Sequence, residues 1–200
     1  MIMHLSELEI SKTLKRWDLS GPAIMNLLKR KGWTPLGYGV EAGVAEHPQK
    51  AYVLKIFPKT SKYDHFVSMV KAHPENPHFP RFSRYVRDIP GTEFSYVRME
   101  KLSKVKEYDL VQIPQLLCLL TKLYRSLGSM PPTWVGNNVT WDPKDEHRVY
   151  CGELNITPAE QQVINLLYDV IQADQDITLD LHSGNFMKRG TEWVITDPFV

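Results

Sequence analysis

The chain has 200 residues, of which 42% are apolar and 24% charged, and a formal net charge of +1. That is enough for one compact domain whose core needs no disulfide or metal staple. The near-neutral balance removes the electrostatic case for nucleic acid or an anionic membrane as partner, and the longest apolar runs fall short of a bilayer span.

In chain order, Ser6 with Glu9 predicts a short helix, and Ser20-Gly21-Pro22 starts a second that ends near Gly32. Both precede a glycine-bearing turn, Leu36-Gly37-Tyr38-Gly39-Val40-Glu41-Ala42-Gly43-Val44, between β-prone segments. Missing side chains there would let backbone N–H groups approach phosphates, although glycines also make ordinary hairpins. The strand Ala51 to Phe57 follows, apolar except for Lys55. Such a lysine usually lies at an exposed edge, but this one trails the glycine turn at the distance a phosphate-gripping lysine needs.

The segment Ser61 to Ala72 should be a helix, and it contains no glutamate, only Asp64. A proline-rich stretch, His73 to Pro80, reads as the turn-rich approach to a fourth strand, its histidines solvated because their spacing is irregular for a metal. A strand at Glu93 to Met99 comes next. A helix over Val111 to Leu127 carries a broad leucine-rich face, with Pro114 in its first turn. From Met130 to Leu154 an insertion contains Trp134 and Trp141 and reads as a surface loop or an acceptor-binding element. Thr157-Pro158-Ala159-Glu160 is a capping box, behind which Val163, Ile164, Leu167, Val170 and Ile171 recur at helical spacing.

Chemistry concentrates near the end. Asp180-Leu181-His182-Ser183-Gly184-Asn185 is followed by Ile195-Thr196-Asp197-Pro198-Phe199. Between them, β-prone Phe186 to Lys188 and Glu192 to Ile195 flank a turn at Arg189-Gly190-Thr191, so a hairpin would fold Asp197 back beside Asp180 and Asn185. Three oxygen ligands around one cleft suit Mg²⁺ and a nucleotide triphosphate. Loop Asp and Asn also commonly bond only nearby backbone.

With these parts in this order, the chain resembles the protein-kinase-like superfamily from about Trp33 to Phe199. Asp-Leu-His-Ser-Gly-Asn is similar to the small-molecule kinases such as aminoglycoside phosphotransferases. Leu36 to Gly39, His47-Pro48, Leu181 to Asn185 and Ile195 to Pro198 look like the early serine/threonine protein kinases of T7-type bacteriophages. The resemblance implies an α+β, two-lobed fold with a small antiparallel-sheet N-lobe and a reduced helical C-lobe. It implies one domain over 1–200, comprising a helical cap (1–32), N-lobe and hinge (33–102) and minimal C-lobe (103–200).

It also implies roles. Lys55 would hold the α and β phosphates of ATP, Asp180 would orient or deprotonate the attacking hydroxyl, and Asn185 with Asp197 would hold Mg²⁺. Gly37, Gly39 and Gly43 would cover the phosphates, and adenine would lie against Met99, Glu100 and Leu102. The chain departs from the pattern in four places. Thr178 stands where relatives commonly have histidine, Asp64 or nothing replaces the helix glutamate, and Pro198 and Phe199 alter the metal-binding triplet. The sequence given closes at Val200, without the further helices that seat a peptide.

The leading expectation is a serine/threonine protein kinase acting on host proteins and on itself. The alternatives are a small-molecule kinase, and a catalytically weak module that docks on a host factor. Cys118 and Cys151 have no CxxC or metal spacing and read as free thiols of a reducing compartment. Met1 to Leu5, followed by Glu7 and Glu9, is no secretion signal, so the expected location is the cytoplasm, of the host if phage-encoded.

Overall fold

The computed structural model describes residues 20–38, 42–83, 85–105, 133–135, 138–140, 156–181 and 183–200. The helices expected at Ser6 and over Val111 to Leu127, both cysteines, Gly39, His182 and most of the 130–154 insertion lie outside these residues. The chain forms two compact units, one of Met1–Val67 with Arg81–Lys101, the other of Ser68–Pro80 with Leu102–Val200.

In the first unit, helix α1 (Gly21–Arg30) is opened by Ser20 in an extended conformation and Pro22 in the first turn. It is closed at Gly32, whose φ of 84° only glycine adopts without strain. Its apolar stripe, Ile24, Met25 and Leu28, is buried with Trp33, Ala45, Leu54 and Ile56. Strands β1 (Thr34–Tyr38), β2 (Gly43–Glu46), β3 (Tyr52–Pro58), β4 (Arg87–Asp88) and β5 (Phe94–Glu100) form an antiparallel sheet in the order β1-β2-β3-β5-β4. Strand β3 is central, and its residues Val53 to Phe57 are buried on both faces. Helix α2 (Tyr63–Ala72) follows it directly. This α+β arrangement, with its five-stranded antiparallel sheet, is the expected fold class and is consistent with a kinase-like fold.

In the second unit, β6 (Ser103–Lys104) joins a sheet ordered β10-β9-β6. Strands β7 (Thr133–Val135) and β8 (Asn138–Thr140) make a separate hairpin. The capping box forms as read: Thr157 Oγ1 accepts from the Glu160 N–H at 3.2 Å, while Glu160 Oε2 accepts from the Thr157 N–H at 2.8 Å. It opens helix α3 (Pro158–Ala173), which buries Val163, Ile164 and Leu167. Strands β9 (Phe186–Arg189) and β10 (Glu192–Ile195) pair across a two-residue turn, with Arg189 opposite Glu192. Gly190 takes a φ of 62° at the first turn position, as a type II′ hairpin requires.

The proline-rich stretch corrects the sequence reading. His78 is not solvated: it is 4% exposed, stacks on Trp193 at 3.9 Å between ring centroids, and its Nδ1 lies 3.0 Å from the Trp193 carbonyl. Arg189 explains why the stretch stays with this unit, since its guanidinium donates to the Pro77 and Phe79 carbonyls, both at 2.8 Å. The His78 carbonyl accepts from the Ile195 N–H at 3.0 Å. At the other end Asn76 Nδ2 donates to the Ala159 carbonyl at 2.9 Å. His73, also expected to be solvated, is half-buried beside Gln162 and Glu75.

Arg189→Met keeps the stem but leaves two carbonyls without their charged donor, a loss of about 2–3 kcal/mol. Thr157→Ala, which removes one cap, should cost about 1 kcal/mol. Urea unfolding followed by tryptophan fluorescence should therefore rank Arg189→Met as the more destabilised variant.

Candidate functional site

The Asp180 loop is positioned by backbone pairing with the chain's last described residues. Thr178 donates its N–H to the Val200 carbonyl at 2.9 Å and accepts from the Val200 N–H at 3.0 Å, while Asp180 donates to the Pro198 carbonyl at 2.8 Å. Leu179 and Phe199 face each other in this bridge. Thr178 adds a side-chain bond, Oγ1 to the Val200 carbonyl at 3.1 Å. The residue that departs from the expected histidine thus braces the loop by another route.

A single 3₁₀ turn, Ser183–Asn185, then returns the chain toward Asp180. The Asn185 Nδ2 donates to the Asp180 carbonyl and to its Oδ2, the latter at 3.1 Å. Its own carbonyl accepts from the Thr196 N–H at 2.9 Å and from Thr196 Oγ1 at 3.2 Å. Asp197 therefore sits between two residues, Thr196 and Pro198, that are each bonded to the Asp180–Asn185 loop. Three candidate residues from the two sides of one hairpin are held together. Asn185 is 6% exposed, whereas Asp180 and Asp197 are half-buried.

The donor set is two carboxylates and an amide. With both amide N–H groups turned to Asp180, the other end of the Asn185 side chain is Oδ1, an oxygen of the kind hard cations take. Among the described residues no group of three or more His, Cys, Asp and Glu side chains could hold a metal ion. A site of zinc type is thus not formed there, while Mg²⁺, which keeps waters and phosphate oxygens beside one or two carboxylates, fits these donors.

Lys55 lies in the middle strand of the first unit, opposite Val44 on β2 and Val97 on β5, and is 4% exposed. Its Nζ lies over the Tyr63 ring, 3.8 Å from the centroid. Asp64, considered as a substitute for the helix glutamate, turns to its own neighbour: its Oδ1 accepts from the His65 N–H at 2.9 Å. Sequence reasoning missed Tyr63, because an aromatic residue at the start of an amphipathic helix looks like core.

Gly37 is on β1 at an irregularity in the β1–β2 register, where an added Cβ would meet nothing within 4 Å. Gly43 is buried at the start of β2, opposite Tyr38 and Ile56. Met99 is buried on β5 opposite Val53, and its Sδ accepts the Tyr63 hydroxyl at 3.9 Å. Glu100 donates its N–H to the Arg81 carbonyl at 3.0 Å, so that donor is engaged within the unit. Leu102 follows, half-buried.

No protein-family model matches the chain, and no characterised protein matches it in sequence. Among solved structures, the crystal structure of the aminoglycoside phosphotransferase APH(4)-Ia is similar with a TM-score of 0.39 and 15% identity, covering 89% of this chain and 71% of that one. A likeness of this strength carries no argument about activity.

Asn185→Asp replaces a donor by a third carboxylate against Asp180 Oδ2. It should lower stability by about 1–3 kcal/mol. Thermal melts of both proteins with and without millimolar Mg²⁺ check this; added Mg²⁺ should reduce the deficit.

Proposed function

We propose that the chain is an ATP-dependent phosphotransferase, and specifically a phage-type serine/threonine protein kinase acting on host proteins in the host cytoplasm. The observation that carries the reading is the hydrogen-bonded pair Asp180 and Asn185, with Asp197 flanked by two residues, Thr196 and Pro198, that bond the same loop. The motif resemblance supplies the acceptor class. Among the described residues no helix is long and apolar enough to cross a membrane.

In this reading Asp180 accepts a hydrogen bond from the acceptor hydroxyl, orients it toward the γ-phosphorus, and takes its proton as the new P–O bond forms and ADP leaves. Asn185 stabilises that role by holding the Asp180 carboxylate in place. Asn185 Oδ1 and the Asp197 carboxylate would hold Mg²⁺, which when bound would neutralise phosphate charge. Lys55 binds the α and β phosphates, and the backbone around Gly37, Gly39 and Gly43 covers them. Met99 and the backbone near Glu100 and Leu102 receive the adenine.

The purified chain incubated with γ-labelled ATP, Mg²⁺ and a bacterial lysate should label protein bands. Asp180→Asn and Asp197→Ala should each lower labelling about 10²-fold or more. ATP binding with no label on protein would overturn the protein-kinase assignment and direct the search to small-molecule acceptors.

A further inference from the structure

Among the described residues β10 is an edge strand, since its sheet is ordered β10-β9-β6. Its outer side presents main-chain groups that pairing with β9 does not use, immediately before Thr196 and Asp197. A single residue, His78, takes two of them. Its carbonyl accepts from the Ile195 N–H at 3.0 Å, and its ring Nδ1 lies 3.0 Å from the Trp193 carbonyl. A carbonyl only accepts, so Nδ1 carries the proton and donates.

A residue of a parallel ladder brackets its neighbour with two such bonds, and here the bracketed residue is Val194. A ladder residue would reach the Trp193 carbonyl with its own N–H. The His78 N–H is instead held by Asn76 Oδ1 at 2.9 Å, and the chain there is a turn. The imidazole stands in for the main-chain donor. Asn76 anchors that turn within the same unit, its Nδ2 donating to the Ala159 carbonyl at 2.9 Å and to Gln162 Oε1 at 2.7 Å at the start of α3. The ring is buried and stacked on Trp193 at 3.9 Å between centroids, which fixes its plane as well as its donor.

We propose that His78 is a positioning residue for Asp197, acting through β10: its ring N–H and its carbonyl hold Trp193 and Ile195, and so set where the Asp197 carboxylate is delivered. This deepens the phosphotransferase reading and rests on it for the metal that Asp197 would hold. The next link along the chain is Thr196, which donates its N–H and its hydroxyl to the Asn185 carbonyl. Residues 193 to 196 are thus tied both to the turn at His78 and to the loop of Asp180. Release of the first tie would let Asp197 move relative to Asn185, and outer contacts that orient metal ligands are typically worth about 10–100-fold in affinity.

Long-range ¹H–¹⁵N spectra of the wild type, without nucleotide or metal, should place a proton on Nδ1 of His78. A ring protonated on Nε2 alone overturns the proposal, and this measurement needs no variant. Two substitutions then separate the donor from the ring. His78→Asn keeps an N–H donor the same number of bonds from Cα, whereas His78→Phe keeps an aromatic face for Trp193 and has no donor. With folding checked by thermal melts, the Thr196 and Asp197 amide resonances should stay near wild type in His78→Asn and shift in His78→Phe. Mn²⁺, titrated without ATP as a paramagnetic substitute for Mg²⁺, should bind about tenfold more weakly to His78→Phe and nearly normally to His78→Asn. A His78→Phe protein that melts lower yet keeps the wild-type Asp197 resonance and Mn²⁺ affinity has lost a structural contact only, which overturns the proposal. Asp197→Ala tests the reading beneath it. If the wild type binds Mn²⁺ no more tightly than Asp197→Ala, the metal role of Asp197 falls, while the amide resonances still decide whether His78 positions it.

Discussion

The candidate site depends on three backbone hydrogen bonds that tie residues 178–180 to residues 198–200. With the two bonds that the Asn185 carbonyl accepts from Thr196, they bring the Asp180 loop beside Asp197. The pairing also accounts for Pro198 beside Asp197. Proline lacks an N–H, but the bridge asks of this position only a carbonyl, which Asp180 uses at 2.8 Å. Its fixed φ then narrows the directions open to the Asp197 backbone. Phe199, buried opposite Leu179, adds an apolar anchor. The triplet is thus built to stay in one place.

The hairpin of β9 and β10 is the platform that makes this bridge possible, and its stability comes from elsewhere in the chain. Trp193 is covered by His78, Arg189 reaches two carbonyls of the proline-rich stretch, and Ile195 bonds the carbonyl of His78. A short hairpin alone is marginal in water. Here the residues just before the site on β10 are held by polar contacts that a slipped register would break, because a one-residue shift would turn Trp193 away from His78.

What could be read from the sequence follows the range of the interaction responsible. The capping box at Thr157, the turn at Gly190 and the apolar run of β3 are local signals, and each appears where expected. The association of Asp180, Asn185 and Asp197 was legible at one remove, through the hairpin joining them. The contacts of His78, Arg189 and Tyr63 were not legible. His78 and Arg189 join residues distant in sequence, and a histidine, an arginine or a tyrosine in a proline-rich loop, a strand end or a helix start carries no mark of its partner. The same limit applies to Lys55: alternation alone could not tell a buried central position from an exposed edge, because both interrupt an apolar run with one charge.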